Sequence, residues 1–344
     1  MNSEFLKDIN RYIVGLDLGT HYTRLWKPEA GIILRCPTAA AIDSRSHHVV
    51  ALGNEACRMI GKTPEHILAY RPVTEGLISD FEVASRMVTG FFDAKRLCTL
   101  FRRPAVIVAA PYYMSQVHQL ALENAVLEAG ARSVAVIPSV YAAAAGEGLA
   151  VRSSRAHLLL SVGGGVADAA VISSGSVIHA RSLRVAGDRL NMAISSYIKN
   201  KYDLLVSESD AEYLKLRLGT ADSRIDRGSM TVHGRNARSK LAESREIFSK
   251  DICEAIIPSV DALARLVMTV LSEAPHELER ELYNLGVMVT GGTALLPGIG
   301  KALARKTGLR VIVSENPMDA VINGLGRIAQ KPELWAEPLN FRRR

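Results

Sequence analysis

Three glycine-containing turns in the sequence combine residue types that can bind an anion. Residues 17–20 read DLGT, so a carboxylate is followed by a glycine and a hydroxyl. Backbone N–H groups of such a turn can face an anion, while the Asp17 carboxylate can face the metal ion that accompanies it. Residues 163–165 read GGG and residues 291–292 read GG, and glycine lets backbone approach a ligand closely. Each turn alone is also typical of an ordinary tight turn, but the three together favour a phosphate-binding site.

Short β-prone runs flank the first two turns and would position them. Residues 12–18, 23–27 and 31–35 predict a meander of strands around the first turn. A similar unit of strand, glycine turn, strand, turn and strand begins near residue 157. Two similar units predict a duplicated fold with a cleft between its halves, and ligands favour such clefts.

A strand, a helix and a second strand between these units predict the α/β fold class. Residues 104–111 read PAVIVAAP, an apolar run typical of a buried strand, and residues 133–137 predict the next strand. A helix that joins two such strands makes a parallel crossover. Residues 115–130 predict that helix, which is amphipathic and has its apolar positions at Val117, Leu120, Ala121, Val126 and Leu127. Further helices are predicted over residues 188–201, 210–218 and 253–273.

Length and composition are those of a globular protein with room for two hydrophobic cores. The chain has 344 residues, of which 48% are hydrophobic and 22% are charged. The net charge of +7 comes from mostly scattered basic residues, so no nucleic-acid partner is expected. Four cysteines fall singly and are interpreted as reduced thiols. No apolar run approaches the roughly 20 residues of a membrane-spanning helix, and the N-terminal residues lack a signal-peptide pattern, so we expect a cytoplasmic protein.

The motifs and their order resemble the actin superfamily, and within it the MreB family of bacterial rod-shape proteins. GLDLGT and VGGGVADAAVIS look like the family's first and second phosphate motifs, and residues 53–87 are very similar to its stretch after the first meander. AGDRLN, SESDAEYLK, HGR and VTGGTALLPGI follow in the family's order. The resemblance runs from about residue 12 to residue 327, nearly the whole chain.

The resemblance implies an actin-like duplicated fold, with two lobes of four subdomains around a central nucleotide cleft. Subdomain IA would comprise residues 1–32, 74–145 and 315–344, IB residues 33–73, IIA residues 146–183 and 245–314, and IIB residues 184–244. ATP and Mg²⁺ are the implied ligands. The implied partners are further copies of the chain in a filament, a conventional MreB relative, membrane-bound wall-synthesis proteins and the anionic inner face of the cell membrane.

Site residues are carried over from the family by position. Phosphates would lie at the first two turns, a metal at Asp17, the ribose and adenine at SESDAEYLK, and the third turn would close the adenosine pocket. The phosphate and adenosine residues are Gly19, Thr20, His21, Gly163, Gly164, Gly165, Glu212, Lys215, Gly291 and Gly292. His21 replaces a small residue of the family, so it either lies at the phosphates or is a solvated surface residue.

The sequence departs from the family where the chemistry takes place. Ser161 stands where an aspartate helps hold the water shell of the metal, and Pro138 and Ser139 stand where the family has two glutamates. The first of those glutamates positions the attacking water, and proline has no side-chain acceptor. Asp168 is the one polar residue left in the VAD segment and is the candidate to orient a water. We therefore predict ATP binding with slow or absent hydrolysis, at most a slow ATPase.

The loop at residues 94–104 predicts contact with a membrane. It reads AKRLCTLFRRP, so Leu97, Leu100 and Phe101 lie between basic residues, a composition that suits an anionic lipid surface. The alternative is a loop packed on its own domain. A second, weaker prediction is that Phe5, Leu6, Ile9 and Ile13 form one apolar face of a short amphipathic helix on the same membrane.

Other functions are compatible with the superfamily. A sugar-type kinase would need a catalytic aspartate at its acceptor, for which Asp168 is the candidate. A heat-shock-type chaperone would carry a peptide-binding domain, and a cell-division or pilus-assembly relative would have a rearranged first subdomain. Residues 53–87 favour the rod-shape family over the kinase and over the cell-division or pilus-assembly relative.

Overall fold

The structure is a computed structural model, and it describes residues 12–99, 102–334 and 341–343. The described residues divide into two compact units. Unit 1 comprises those within Met1–His157, Ile172–Ala180 and Met318–Arg344, and unit 2 comprises Leu158–Val171 and Arg181–Pro317. The finer division into four subdomains remains a prediction.

The described residues form runs of consecutive strands that are separated by α-helices. The strands are β1 Ile13–Leu18, β2 Tyr22–Lys27, β3 Gly31–Pro37, β4 Ala40–Asp43, β5 Val49–Leu52, β6 Ile67–Tyr70, β7 Val73–Thr74, β8 Leu77–Ile78, β9 Ala105–Ala110, β10 Ser133–Pro138, β11 His157–Val162, β12 Ala167–Ser173, β13 Ser176–Leu183, β14 Leu204–Leu205, β15 Ser229–Asn236, β16 Ala242–Phe248, β17 Val287–Thr290, β18 Val311–Val313 and β19 Arg342–Arg343. The α-helices are α1 Asn54–Met59, α2 Phe81–Ala94, α3 Gln116–Glu128, α4 Ser139–Gly146, α5 Gly187–Tyr202, α6 Glu208–Leu218, α7 Ser249–Ser272, α8 His276–Leu285, α9 Ile299–Thr307 and α10 Ala320–Gln330.

Unit 1 is built on a six-stranded sheet in the order β19-β10-β9-β1-β2-β3. Strand β1 runs parallel to β9 and antiparallel to β2, and β9 runs parallel to β10. This is the predicted meander joined to the predicted crossover, with α3 between β9 and β10. Strand β9 is apolar throughout and β1 is apolar apart from Asp17, because both faces of these central strands are covered. A smaller sheet, β5-β4-β6, carries α1.

A second sheet has the order β13-β12-β11-β17-β18 and positions the other two glycine turns. Strand β11 runs parallel to β17, which runs parallel to β18. The GGG turn follows β11, and the GG turn follows β17. Because the carboxyl ends of parallel strands meet at one edge of a sheet, both turns of unit 2 lie at the same edge.

The predicted helices are present with shifted ends. Helices α5 and α6 begin one or two residues before their predicted starts, and α7 begins at Ser249 rather than at residue 253. Helix α6 begins early because Ser207 caps it and forms a capping box with Asp210. The predicted apolar face of α3 is partly wrong, since Val117 is 74% exposed. The helix buries Val126 and Leu127 as predicted, and it also buries Leu122 and Ala125.

Helix α7 differs from the expectation that no segment has the length and apolar composition of a membrane-spanning helix. Its 24 residues are long and apolar enough to cross a membrane by length and composition, although the sequence predicted no such segment. Its inner face is buried within unit 2, against α5 and α9 among other elements. A core helix of a globular protein has the same composition, and the burial favours that interpretation.

Candidate functional site

The first glycine turn joins β1 to β2 in unit 1 and is closed by its own backbone. The N–H of Gly19 donates to the carbonyl oxygen of Tyr22 at 3.1 Å. A Cβ atom on Gly19 would lie 2.9 Å from that same oxygen, so a larger residue would open the turn. Thr20 is buried, and its Oγ1 accepts a hydrogen bond of 2.8 Å from the N–H of Gly76. The half-buried His21 follows, and its carbonyl oxygen accepts from the N–H of Thr38.

Asp17, the predicted metal residue, is joined to an arginine. The antiparallel register of β1 and β2 pairs Asp17 with Arg24, and Arg24 Nη1 lies 3.3 Å from Asp17 Oδ2. Burial raises the pKa of the Asp17 carboxyl above its ordinary value, and the Arg24 guanidinium opposes that rise. The sequence pattern did not single out Arg24. The signal for Arg24 that the sequence does contain is a charged residue within the β-strand that follows the DLGT turn.

The second glycine turn, after β11 in unit 2, is held through its carbonyl groups. The carbonyl oxygen of Gly163 accepts from the N–H of Gly187 at 3.2 Å and from Thr293 Oγ1 at 2.9 Å. The carbonyl oxygen of Gly164 accepts from the N–H of Asp188 at 2.8 Å. The turn thus lies against the N-terminus of α5, whose helix dipole favours a nearby anion. Gly165, the third glycine, is buried in the same turn.

Glu212 and Lys215 lie one turn apart on α6 and form a polar cluster with α5. Lys215 Nζ donates to Glu212 Oε2 at 2.7 Å and to the carbonyl oxygen of Gly187 at 3.2 Å. Asn191 Nδ2 donates to the same carboxylate oxygen at 2.6 Å. Asn191 is 1% exposed, and its Oδ1 has no partner among the described residues. Buried acceptors without a hydrogen-bond partner are rare, so a ligand that donates a hydrogen bond to Asn191 Oδ1 would fit this position. AGDRLN contains Asn191, but no role was predicted for it.

The two glycines after β17 differ in what the fold requires of them. Gly291 has φ of +86°, and a Cβ atom on it would lie 2.4 Å from the carbonyl oxygen of Val162. Only glycine fits there without displacing backbone. Gly292 begins a short 3₁₀ helix at Gly292–Leu295, and a Cβ atom on it would meet nothing within 4 Å. Packing therefore explains Gly291, whereas space next to Gly292 is open to a ligand.

Asp168, the residue predicted to orient a water, has a buried carboxylate that is engaged in a hydrogen bond. Asp168 is 2% exposed on the fully buried strand β12, and its carboxylate accepts a hydrogen bond from Ser182 Oγ. Burial together with a side-chain hydrogen bond is typical of a carboxylate that stabilises the fold. Pro138 ends β10 and directly precedes α4 without a side-chain cap, and Ser161 is a half-buried residue of β11. The structure therefore offers no carboxylate at the predicted water-activating positions.

The residues present do not form the donor set that Mg²⁺ prefers. Mg²⁺ takes octahedral oxygen ligands and is usually held by one or two carboxylates together with phosphates. In unit 1 the Asp17 carboxylate is already paired with Arg24, and in unit 2 residue 161 is a serine rather than a carboxylate. Among residues 12–99, 102–334 and 341–343, no group of three or more His, Cys, Asp or Glu side chains is arranged to hold a metal.

The predicted membrane loop is only partly available. Leu97 is 1% exposed and belongs to a hydrophobic core cluster of unit 1, which favours the alternative of a loop packed on its own domain at this residue. Tyr12 Oη donates a hydrogen bond of 2.9 Å to the Leu97 carbonyl oxygen. Leu100 and Phe101 lie outside the described residues, as do Phe5, Leu6 and Ile9. The flanking basic residues Lys95, Arg96, Arg102 and Arg103 are exposed.

Comparisons with known proteins identify the family. The model of the MreB/Mbl protein family matches residues 11–337. The chain is 35% identical to the cell shape-determining protein Mbl of Bacillus subtilis (strain 168) over 313 residues, which cover 91% of this chain and 94% of that protein. It is 33% identical to the cell shape-determining protein MreB of Escherichia coli (strain K12), covering 91% and 92%.

Solved structures agree with the sequence comparison. MreB5 of Spiroplasma citri, bound to ADP, superposes with a TM-score of 0.88 at 28% identity, covering 94% of this chain and 97% of that one. The same protein bound to AMPPNP gives a TM-score of 0.89. The predicted actin-like α/β fold is confirmed, and the relatives are named for cell shape rather than for sugar phosphorylation. The chain belongs to the MreB/Mbl family.

Proposed function

We propose that this chain is a cytoskeletal subunit that binds ATP, assembles with copies of itself into filaments and hydrolyses ATP slowly or not at all. The observation that carries the nucleotide proposal is in unit 2. There the Gly163–Gly165 turn lies against the N-terminus of α5, whose next turn supplies Asn191 to the Glu212–Lys215 pair. This arrangement offers backbone and a helix dipole for phosphates and a polar cluster for the sugar.

The relatives support the same ligand class and the same assembly. MreB5 of Spiroplasma citri is named as bound to ADP and to AMPPNP, and its fold covers almost all of this chain. Adenine nucleotides are therefore the proposed ligands. Filament formation and a role in cell shape follow from membership of the family, in which the chain would act beside a conventional relative and membrane-bound wall-synthesis proteins.

Slow hydrolysis follows from the residues at the water-activating positions. A general base must lie within hydrogen-bond reach of the attacking water. Pro138 offers no acceptor, and Asp168 is buried against Ser182. ATP would then persist in the filament, and the polymer would be long-lived unless a competent relative co-assembles with it.

We also propose that residues 94–104 attach the filament to anionic membrane. Four exposed basic residues flank the loop, and each contributes about 1 kcal/mol near an anionic lipid surface. Leu100 and Phe101 would supply the apolar contact. The protein would thus be cytoplasmic and peripheral at the inner face of the membrane.

The test is a paired assay on the purified protein. ATP affinity is measured by titration, phosphate release is measured under single-turnover conditions, and polymer is measured by pelleting in the same samples. We expect ATP binding and pelleting with negligible phosphate release. The variant Pro138→Glu is expected to raise release, with Pro138→Gln as the matched control that lacks the carboxylate. A wild-type release rate typical of a working filament ATPase contradicts the proposed loss of hydrolysis, and absence of ATP binding contradicts the whole proposal.

A further inference from the structure

Arg24 forms an ion pair with Asp17, the carboxylate that was predicted to face a metal ion. Its guanidinium lies 3.3 Å from Asp17 through Nη1 and 3.1 Å from Asp319 through Nε. The Arg24 side chain is only 9% exposed, so its geometry is held by packing as well as by charge. Asp17 is in β1 and Arg24 directly opposite in β2, which makes their proximity a property of the sheet register.

The ion pair belongs to a linear network of two arginines and two aspartates, in the order Arg35, Asp319, Arg24 and Asp17. Arg35, the β3 partner of Arg24 in register, donates to both oxygens of Asp319, at 3.1 Å from Nε and 2.6 Å from Nη2. Asp319 immediately precedes α10, so the network ties that helix start to the sheet. The network contains two positive and two negative charges, so its net charge is zero and the negative charge of Asp17 is compensated within it.

Charge balance decides what the neighbourhood of Asp17 attracts. An isolated buried carboxylate repels nucleotide phosphates and attracts a divalent cation that relieves the repulsion. A carboxylate paired with a guanidinium repels phosphates less and attracts a divalent cation less, because its charge is already compensated at hydrogen-bond distance. Asp17 is the one carboxylate of the DLGT turn, and a carboxylate already paired with a guanidinium does not fit the donor set that Mg²⁺ prefers.

We propose that the Arg24–Asp17 pair replaces Mg²⁺ in this chain, so that the nucleotide is recognised as the metal-free di- or triphosphate. The inference rests on the proposed nucleotide binding and specifies the ionic form of the ligand. Arg24 is then a specificity-determining residue: it removes the repulsion between Asp17 and the phosphates without a metal ion.

The experiment compares nucleotide affinity with Mg²⁺ and with EDTA at matched ionic strength. AMPPNP is titrated into the wild-type protein and into Arg24→Met, which keeps the length of the side chain and removes its charge. Arg86→Met is the matched control, because Arg86 is a surface arginine that pairs with Glu82 and does not touch Asp17. Circular dichroism verifies that each variant is folded.

We expect the wild type and Arg86→Met to bind AMPPNP with affinities that agree within about threefold in Mg²⁺ and in EDTA. Arg24→Met should bind at least about tenfold more weakly in EDTA, and Mg²⁺ should restore much of the loss. If Arg24→Met does not fold, Asp17→Asn replaces it and should bind equally well under both conditions. Wild-type binding that is tenfold or more tighter with Mg²⁺ overturns this inference alone. Absence of binding under both conditions overturns the proposed nucleotide site and this inference with it.

Discussion

Gly146, the last residue of α4, and Gly324 in α10 lie where the two helices cross backbone against backbone. A Cβ atom on Gly146 would lie 1.8 Å from the carbonyl oxygen of Ala320, and one on Gly324 would lie 1.7 Å from that of Ala142. Helix backbones can approach this closely only where neither residue has a side chain. The crossing fixes α10, and with it Asp319, against α4 within unit 1.

Replacing Gly324 tests this crossing. Gly324→Ala should lower the free energy of unfolding by about 1–3 kcal/mol, because the added methyl group forces the two helices apart. Asn323→Ala, on the same helix, is the matched control and should have a small effect. The measurement is urea denaturation followed by circular dichroism. Stabilisation by Gly324→Ala, the result expected from helix propensity alone, would contradict the close crossing.

Asn191 should contribute to nucleotide binding by holding Glu212. Asn191→Ala removes the hydrogen bond to the carboxylate and the unpartnered buried Oδ1, and a hydrogen bond to a charged group contributes about 1.5–3 kcal/mol. We expect ADP affinity to fall about tenfold or more. Met192→Ala changes the adjacent exposed residue and is the matched control. An unchanged ADP affinity in folded Asn191→Ala would remove Asn191 from the site.

The arginine–aspartate network should make stability depend on pH in the acidic range. The hydrogen bonds from Arg35, with further contributions from Arg24, hold the pKa of Asp319 below its ordinary value. A carboxyl with a lowered pKa in the folded state stabilises the fold above its unfolded pKa of about 3.9, and this contribution is lost as the pH falls through the folded pKa.

The comparison of wild type with Asp319→Asn isolates that contribution. Above about pH 5 the variant should be less stable than the wild type, and the difference should shrink as the pH falls below about 4. The midpoints of urea denaturation of both proteins, measured at a series of pH values across this range, give the difference in stability. A difference in stability that stays constant over the range would show that Asp319 is not held ionised by the two arginines.

Membrane attachment should depend on the two apolar residues between the basic residues of the 94–104 loop. Leu100→Ser combined with Phe101→Ser should release the protein from vesicles that contain anionic lipid, because the apolar contact is lost. Val117→Ser combined with Leu120→Ser changes two exposed apolar residues of α3 and serves as the control. Co-sedimentation of the loop variant at wild-type level would refute the membrane role of the loop.

Most of the secondary structure was predictable because its signals are local. The β-prone runs around DLGT and GGG, the apolar PAVIVAAP strand and the capped helix α6 all appear where their patterns indicated. Helix α3 was only half predicted. Its apolar residues Val117 and Leu120 are exposed, because the position of α3 on the sheet, rather than its composition, decides which residues it buries.

The sequence by itself determined the family, the α/β class and the loss of acids at Pro138 and Ser161, since these depend on residue types and their order. Only the tertiary structure decided which charges are neighbours. Arg24 and Asp319 are separated by 295 positions and share a hydrogen bond, and the Asp168 carboxylate accepts a hydrogen bond from Ser182. Electrostatic interaction depends on distance through space, and that distance is set by strand register and helix packing, which no local pattern contains.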